Sequence, residues 1–267
     1  MLNVEDRAAL IARLDEARRE RRATSLPRAA HPELTLADAY GVQHAWASYR
    51  MAEEGRTLAG YKVALTTRGS QQPLGAEGPI FGTLLDDMAF GQDAPVEMDR
   101  FLAPKVEMEL AFKLGSRLAG ACSEAQAIAA IEWVSPAVEI LDSRLVMRQP
   151  DSGLARSAID IVADGGGAAG FAISDQRWRP DEIALSEIGA VLYHNGEAED
   201  SGLFPLVFGR PERALVWLAA ALADQHKALE PGDIVLSGSV IKPFSVTRGD
   251  RFEFDFREAG RIELAFV

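Results

Sequence analysis

One cysteine, Cys122, stands in a chain of 267 residues, so no intramolecular disulfide can form. A lone thiol reads as a small buried apolar side chain in a reducing compartment. Basic residues are also in the minority, 28 Lys and Arg against 40 Asp and Glu, and the formal net charge is −12. No basic stripe is available to recruit phosphate, which argues against nucleic acid or an anionic membrane surface and leaves small molecules as the expected partners. No segment reaches the roughly 20 apolar residues of a membrane span, and the N-terminus shows neither a basic leader nor an apolar stretch of signal length. The expected location is the cytoplasm. Repeats and low-complexity tracts are absent too. What remains, 48% hydrophobic and 25% charged residues, is the composition of an ordinary folded protein with ample material for a core.

Leu10, Ile11, Leu14 and Ala17 recur at helical spacing and predict an amphipathic helix from Val4 to about Arg22. After the break from Pro27 to Pro32, a second helix is predicted from Leu34 to about Gly55, with Thr35 as N-cap and Asp38 three residues on. Beyond Gly60 the texture changes to short β-rich runs: Tyr61 to Thr66, Val106 to Leu114, Val134 to Leu141, Ile188 to His194, Ile234 to Ser237 and Phe252 to Phe256. Two further helices are expected, Glu124 to Trp133 and Pro211 to His226. Asn195-Gly196 and Pro231-Gly232-Asp233 read as hairpin or strand-entry turns. The pattern is α+β, with a helical N-terminal segment over 1–60 and a β-rich catalytic domain over 61–267.

Within Ala103-Pro-Lys-Val-Glu-Met-Glu-Leu-Ala-Phe112, Glu107 and Glu109 lie two apart. In a strand both carboxylates project from one face, while Val106, Met108, Leu110 and Phe112 project from the other. Glu139, between Val138 and Ile140, leaves a second apolar strand in the same manner. Alternation alone is equally the signature of a sheet with one wet face. Three acids leaving apolar strands are nevertheless costly as unpaired charges and call for a cation, and all-oxygen ligation favours Mg²⁺ or Mn²⁺ over zinc. Gly165-Gly166-Gly167 lacks the spacing of a phosphate-binding loop and suggests close backbone approach to a ligand, or plain flexibility.

Several stations in order, Gly55-Arg-Thr-Leu-Ala-Gly-Tyr-Lys-Val-Ala-Leu-Thr-Thr67, Phe81-Gly-Thr-Leu-Leu-Asp-Asp-Met88, Asp99 to Phe112, Val138 to Arg144 and Gly232 to Ser239, give the chain its likeness. It resembles the 2-keto-4-pentenoate hydratase branch of the fumarylacetoacetate hydrolase superfamily over nearly its full length, and is most similar to hydratases of 2-oxo-hept-enedioate-type intermediates of aromatic meta-cleavage. The resemblance implies a mixed β-roll or sandwich core behind the helical segment, and a divalent metal held by Glu107, Glu109 and Glu139. It also implies a functional Lys62, substrate-binding positions at Phe81, Asp164 and Ser239, and a homo-oligomer. Without it, Lys62 would read as the exposed member of a strand.

A 2-oxo acid can chelate one hard cation through its keto and carboxylate oxygens, and Lys62 can add positive charge or relay a proton. A hydratase would ketonise a 2-hydroxy-2,4-dienoate and add water at C4; the same electron sink would serve decarboxylation of a 2-oxo-3-enedioate. Three positions depart from the hydratase pattern: Ile80 replaces an Asp, Gly165 to Gly167 replace a polar stretch, and Ile241 replaces a Thr. Hydratase is the main reading, decarboxylase the alternative, and a non-catalytic 2-oxo-acid-binding homologue a second alternative. Hydrolysis would need a His-Glu pair, and none of His31, His44, His194 or His226 occupies a recognisable counterpart. Asp86 and Asp87 point apart and read as structural. Arg144 reads as the partner of Asp142 or Asp164 before it reads as a substrate contact.

Overall fold

A computed structural model describes residues 2–267. Three helices open the chain: α1 (Val4–Glu20), α2 (Pro27–Ala30) and α3 (Leu36–Glu53). Asn3 caps α1 by accepting the Asp6 amide, and Thr35 and Asp38 close the reciprocal box that starts α3. The buried stripe of α3, Ala39, Tyr40, Val42, Gln43, Trp46 and Arg50, follows the helical period.

After α3 come β1 (Leu58–Ala64), α4 (Arg68–Gln71), β2 (Ile80–Leu85), β3 (Ala89–Phe90), β4 (Pro95–Val96) and β5 (Lys105–Leu114). They are followed by α5 (Glu124–Ala130), β6 (Ile131–Leu141), α6 (Ala158–Ala163), β7 (Ala168–Ile173), β8 (Gly189–His194) and β9 (Glu197–Leu203). The chain closes with α7 (Arg213–Ala223), β10 (Ile234–Leu236), β11 (Phe244–Ser245), β12 (Arg251–Asp255) and β13 (Arg261–Phe266). Eight strands form one sheet in the order β2-β1-β10-β5-β6-β7-β3, with β11 paired to the end of β5. Five form a second, β4-β13-β12-β8-β9.

The larger sheet decides where the site lies. Register pairs Lys62 with Gly82 and Leu236, Leu236 with Ala111, Glu107 with Glu139, and Glu139 with Phe171. Residues paired across strands share a face, so Lys62, Leu236, Ala111, Glu109, Glu107, Glu139 and Phe171 all project from one side. That side carries a small apolar cluster of Leu84, Ala111, Ala137, Ala168, Phe171 and Leu236. The other side, with Tyr61, Val63, Phe81, Val106, Met108, Leu110 and Phe112, belongs to the main core, which also takes in Leu10, Leu14, Tyr40 and Trp46 from the N-terminal helices. Both faces of the sheet are therefore covered over its central strands, which are largely apolar runs around the site residues.

Several expectations shift. The Glu124 helix ends at Ala130, because Ile131 and Trp133 extend β6 and pair with Leu114 and Lys113. The Pro211 to His226 helix is trimmed to Arg213–Ala223. Asn195 and Gly196 do form the β8–β9 turn, both at positive φ, between the paired His194 and Glu197. Cys122 is only half-buried rather than enclosed. Among the described residues no helix is long and apolar enough to cross a membrane.

Candidate metal centre and active site

β5 delivers Glu107 and Glu109, and β6 delivers Glu139 from the position opposite Glu107. The antiparallel register puts Glu139 directly across from one acid and diagonal to the other, so ligand oxygens from all three lie within 4.8 Å of one another. The wet-face reading fails here, since Glu109 and Glu139 are both 0% exposed. Lys62 is 1% exposed rather than a solvated strand residue, and its Nζ sits 3.1 Å from Glu139 Oε1.

Electrostatics mark the cluster as incomplete. Burial, then Glu139, pushes Glu107 up to about 8. Burial, followed by Glu139 and Glu107, raises Glu109 well above the usual carboxylate range, and burial also raises Glu139 against the opposing pull of Lys62. The Gly238 amide donates to Glu109 Oε2 at 2.8 Å, yet Glu109 Oε1 and both Glu139 oxygens lack a hydrogen bond of good geometry. Three carboxylates against one ammonium leave a formal deficit of two positive charges. Orphaned buried oxygens and that deficit fit a divalent cation held by Glu107, Glu109 and Glu139.

Glycine lets the lysine reach the acids. A Cβ on Gly82 would lie 2.5 Å from the Gly165 carbonyl oxygen and 3.1 Å from Lys62 Cε. One on Gly166, at φ +71, would lie 2.9 Å from Gly82 Cα. The glycine run expected to approach a ligand in fact approaches β2, and locks the turn over Lys62. Gly82 and Gly238 are site residues that sequence reasoning passed over; the Pro79-Ile-Phe-Gly82 element held the signal for the first.

The three positions carried over as substrate contacts sit differently. Phe81 alternates to the far side of β2, fully buried and stacked on Tyr40 with ring centroids 4.3 Å apart, so it shapes the main core instead of touching a ligand on the glutamate face. Asp164 is 0% exposed, and its oxygens are taken by Arg144 Nε at 2.6 Å, the Arg144 amide at 3.0 Å and Ser143 Oγ at 2.9 Å. It anchors Arg144 and the glycine turn and has no carboxylate oxygen left over. Ser239 is half-buried and closes its own turn, donating to the Ile241 carbonyl and accepting the Ile241 amide.

Arg144 thus pairs with Asp164, while Asp142 accepts the Leu102 and Ala103 amides. Asp86 accepts the Thr57 amide and Asp87 pairs with Arg50, both structural roles as expected. No histidine joins the cluster. His44 is enclosed by Tyr40 and Phe81, and burial, then Lys227, lowers it to about 4; His194 pairs with Asp250 at 2.9 Å. A cavity of about 350 Å³ lies away from the cluster, lined by Arg18, Arg50, Arg100 and Arg144 together with Asp87, Asp99 and Asp142. Most of its arginines are held by acids in and around it.

The chain is similar to known proteins over nearly its full length. A 2-oxo-hept-4-ene-1,7-dioate hydratase of Escherichia coli is 38% identical over 259 residues, 96% of each chain. A 4-oxalocrotonate decarboxylase of a Pseudomonas species is 31% identical over 258 residues, 95% of each. The solved 4-oxalocrotonate decarboxylase of Pseudomonas putida G7, complexed with magnesium and adipate, superposes with a TM-score of 0.93 at 27% identity, covering 100% of this chain and 99% of its own. A profile described as fumarylacetoacetate hydrolase, C-terminal, matches residues 56–267.

Proposed function

The chain belongs to the fumarylacetoacetate hydrolase family, and from that membership we propose that it is a divalent-cation-dependent hydratase of 2-hydroxy-2,4-dienoic acids of the aromatic meta-cleavage type. The observation that carries the proposal is the convergence of Glu107, Glu109 and Glu139 around the Lys62 ammonium, with buried oxygens of Glu109 and Glu139 left unsatisfied. Oxygen-only donors select a hard ion, Mg²⁺ or Mn²⁺. Such an ion supplies Lewis-acid stabilisation of charge on the 2-oxygen and the adjacent carboxylate of the substrate.

The protein's own contribution is positional and electrostatic. Lys62 Nζ, the ammonium paired with Glu139, gives a proton to C5 as the dienol becomes a conjugated 2-oxo-3-enoate, and the amine so formed takes up the proton released from the 2-hydroxyl. Water then adds across C3 and C4, hydroxyl to C4 and proton to C3. The apolar wall of Leu84, Ala137, Phe171 and Leu236 keeps bulk water from the reacting chain and strengthens the charge interactions inside. Lys62, pinned by Glu139 and by the glycine contact with β2, cannot swing out of the face.

A second reading is decarboxylation of a 2-oxo-3-enedioate. Ile80 favours it, because a side chain with no proton to transfer stands where hydratases of the branch carry an acid. The division into a helical segment over 1–60 and a catalytic region over 61–267 and assembly as a homo-oligomer are parts of the same proposal, supported by the family resemblance, and a cytoplasmic location is supported by the single cysteine; sedimentation velocity tests the assembly. For the activity, Mg²⁺-loaded protein is mixed with 2-hydroxy-2,4-dienoates and dienol absorbance is followed, with CO₂ release from 2-oxo-3-hexenedioate measured in parallel. Loss of absorbance without CO₂ supports the hydratase; CO₂ release supports the decarboxylase. Binding without either change would leave a non-catalytic homologue.

A further inference from the structure

Lys105 precedes Glu107 by two residues and Glu109 by four, so β5 aims all three from one face. Burial falls away along that row: Glu109 has no exposed surface, Glu107 is half-buried and Lys105 is exposed. The opposite end is sealed by Ala111, Ala137 and Leu236. A ligand therefore reaches the glutamates from the Lys105 end. Among the described residues Lys105 has no salt-bridge partner, unlike Lys62.

We propose that Lys105 is a specificity-determining residue that binds the distal carboxylate of a dioic substrate, an inference that rests on the 2-oxo-acid reading of the glutamate site. With a divalent cation in place, three carboxylates, one ammonium and the ion sum to zero, so the cluster offers no surplus charge to either substrate carboxylate and the distal one needs a positive charge from outside it. Two strand residues span about 6.8 Å, which is the scale of the carbon chain between the carboxylates of such a diacid. Lys113, on the same strand face, lies beyond the apolar wall with its ammonium over the Trp133 ring. Lys105 is thus the lysine on this strand at the open end.

The test compares parent, Lys105→Met and Lys105→Arg on a pair of 2-hydroxydienoates of equal length, one ending in a carboxylate and one in a methyl group. Mg²⁺-loaded protein is also titrated calorimetrically with adipate and with hexanoate. Lys105→Met is expected to lower kcat/KM for the diacid by about three- to tenfold, mostly through KM, as befits a partly solvated charge pair. Turnover of the monoacid should stay at the parental level, the preference for adipate over hexanoate should shrink alike, and Lys105→Arg should restore both. An unchanged diacid preference in Lys105→Met would overturn the assignment while leaving the proposed function intact, as would an equal loss on both substrates. If the parent turned over neither dienoate, the functional reading would fall, and the role of Lys105 with it.

Discussion

Glu109→Gln is expected to stabilise the metal-free protein while abolishing its useful affinity for the ion. Ligand oxygens of Glu107, Glu109 and Glu139 lie within 4.8 Å of one another, and two unit charges at that separation repel by about 3 kcal/mol at an effective interior dielectric of about 20. The amide removes two of the three repulsions and keeps an oxygen for the Gly238 N–H. Burial and the neighbouring acids already disfavour the charged form of Glu109, which reduces the gain. The net gain should be about 1–3 kcal/mol, seen as a rise of several degrees in Tm. Mg²⁺ affinity should fall by more than about a hundredfold, beyond what the loss of an outer partner of a ligand costs. Scanning calorimetry with chelator and with excess Mg²⁺, together with titration calorimetry, measures both quantities. A variant that melts below the parent without metal, yet gains as much as the parent from Mg²⁺, would refute the reasoning.

Lys62→Met strands a fully buried Glu139, so metal-free stability should drop by about 3–5 kcal/mol. Mg²⁺ should restore much of it, while turnover stays about 10²–10⁴-fold down because the proton-holding group is gone; full activity in this variant would remove Lys62 from the chemistry. Gly82→Ala should cost about 1–3 kcal/mol and raise KM, since its Cβ would lie 2.5 Å from the Gly165 oxygen and crowd Lys62 Cε; a parental melting curve would show that the turn has slack. The pH dependence has a definite sign. Glu107 is raised from 4.5 to about 8, so the stability it contributes is present below about 4.5 and lost as pH climbs to about 8. The Tm of the metal-free protein should decline across that window and the Mg²⁺-loaded Tm should not. Ion binding near neutral pH should release protons, measured from the buffer dependence of the binding heat; no proton release would mean that the acids are already ionised.

Legibility from sequence followed the range of the interactions involved. The Thr35–Asp38 cap, the Asn195-Gly196 turn and the alternation around Glu107 and Glu109 depend on neighbours two or three residues away, and all three appear where the chain predicts them. The helix expected to reach Trp133 ends at Ala130 because Ile131 and Trp133 are drawn into β6 by pairing with β5, a contact that local helix propensity does not register. Phe81 was misplaced for a similar reason. A matched element gives a residue's position, but which side of β2 it leaves is set by the pairing of Val63 with Phe81 and of Lys62 with Gly82.

The sequence by itself determined which groups are available: oxygen donors alternating on strands, one lysine in an apolar run, a single cysteine and a net charge of −12. It could not say that these groups meet. Glu107 and Glu139 are 32 positions apart in the chain, and Lys62 is farther still, so their convergence depends on the β1-β10-β5-β6 order and on register across three strand pairs. Only the tertiary structure decided that the shared face is closed to water at the Ala111 end and open at Lys105. Burial there disfavours the charged forms, raising Glu107 to about 8 and Glu109 well above the usual carboxylate range.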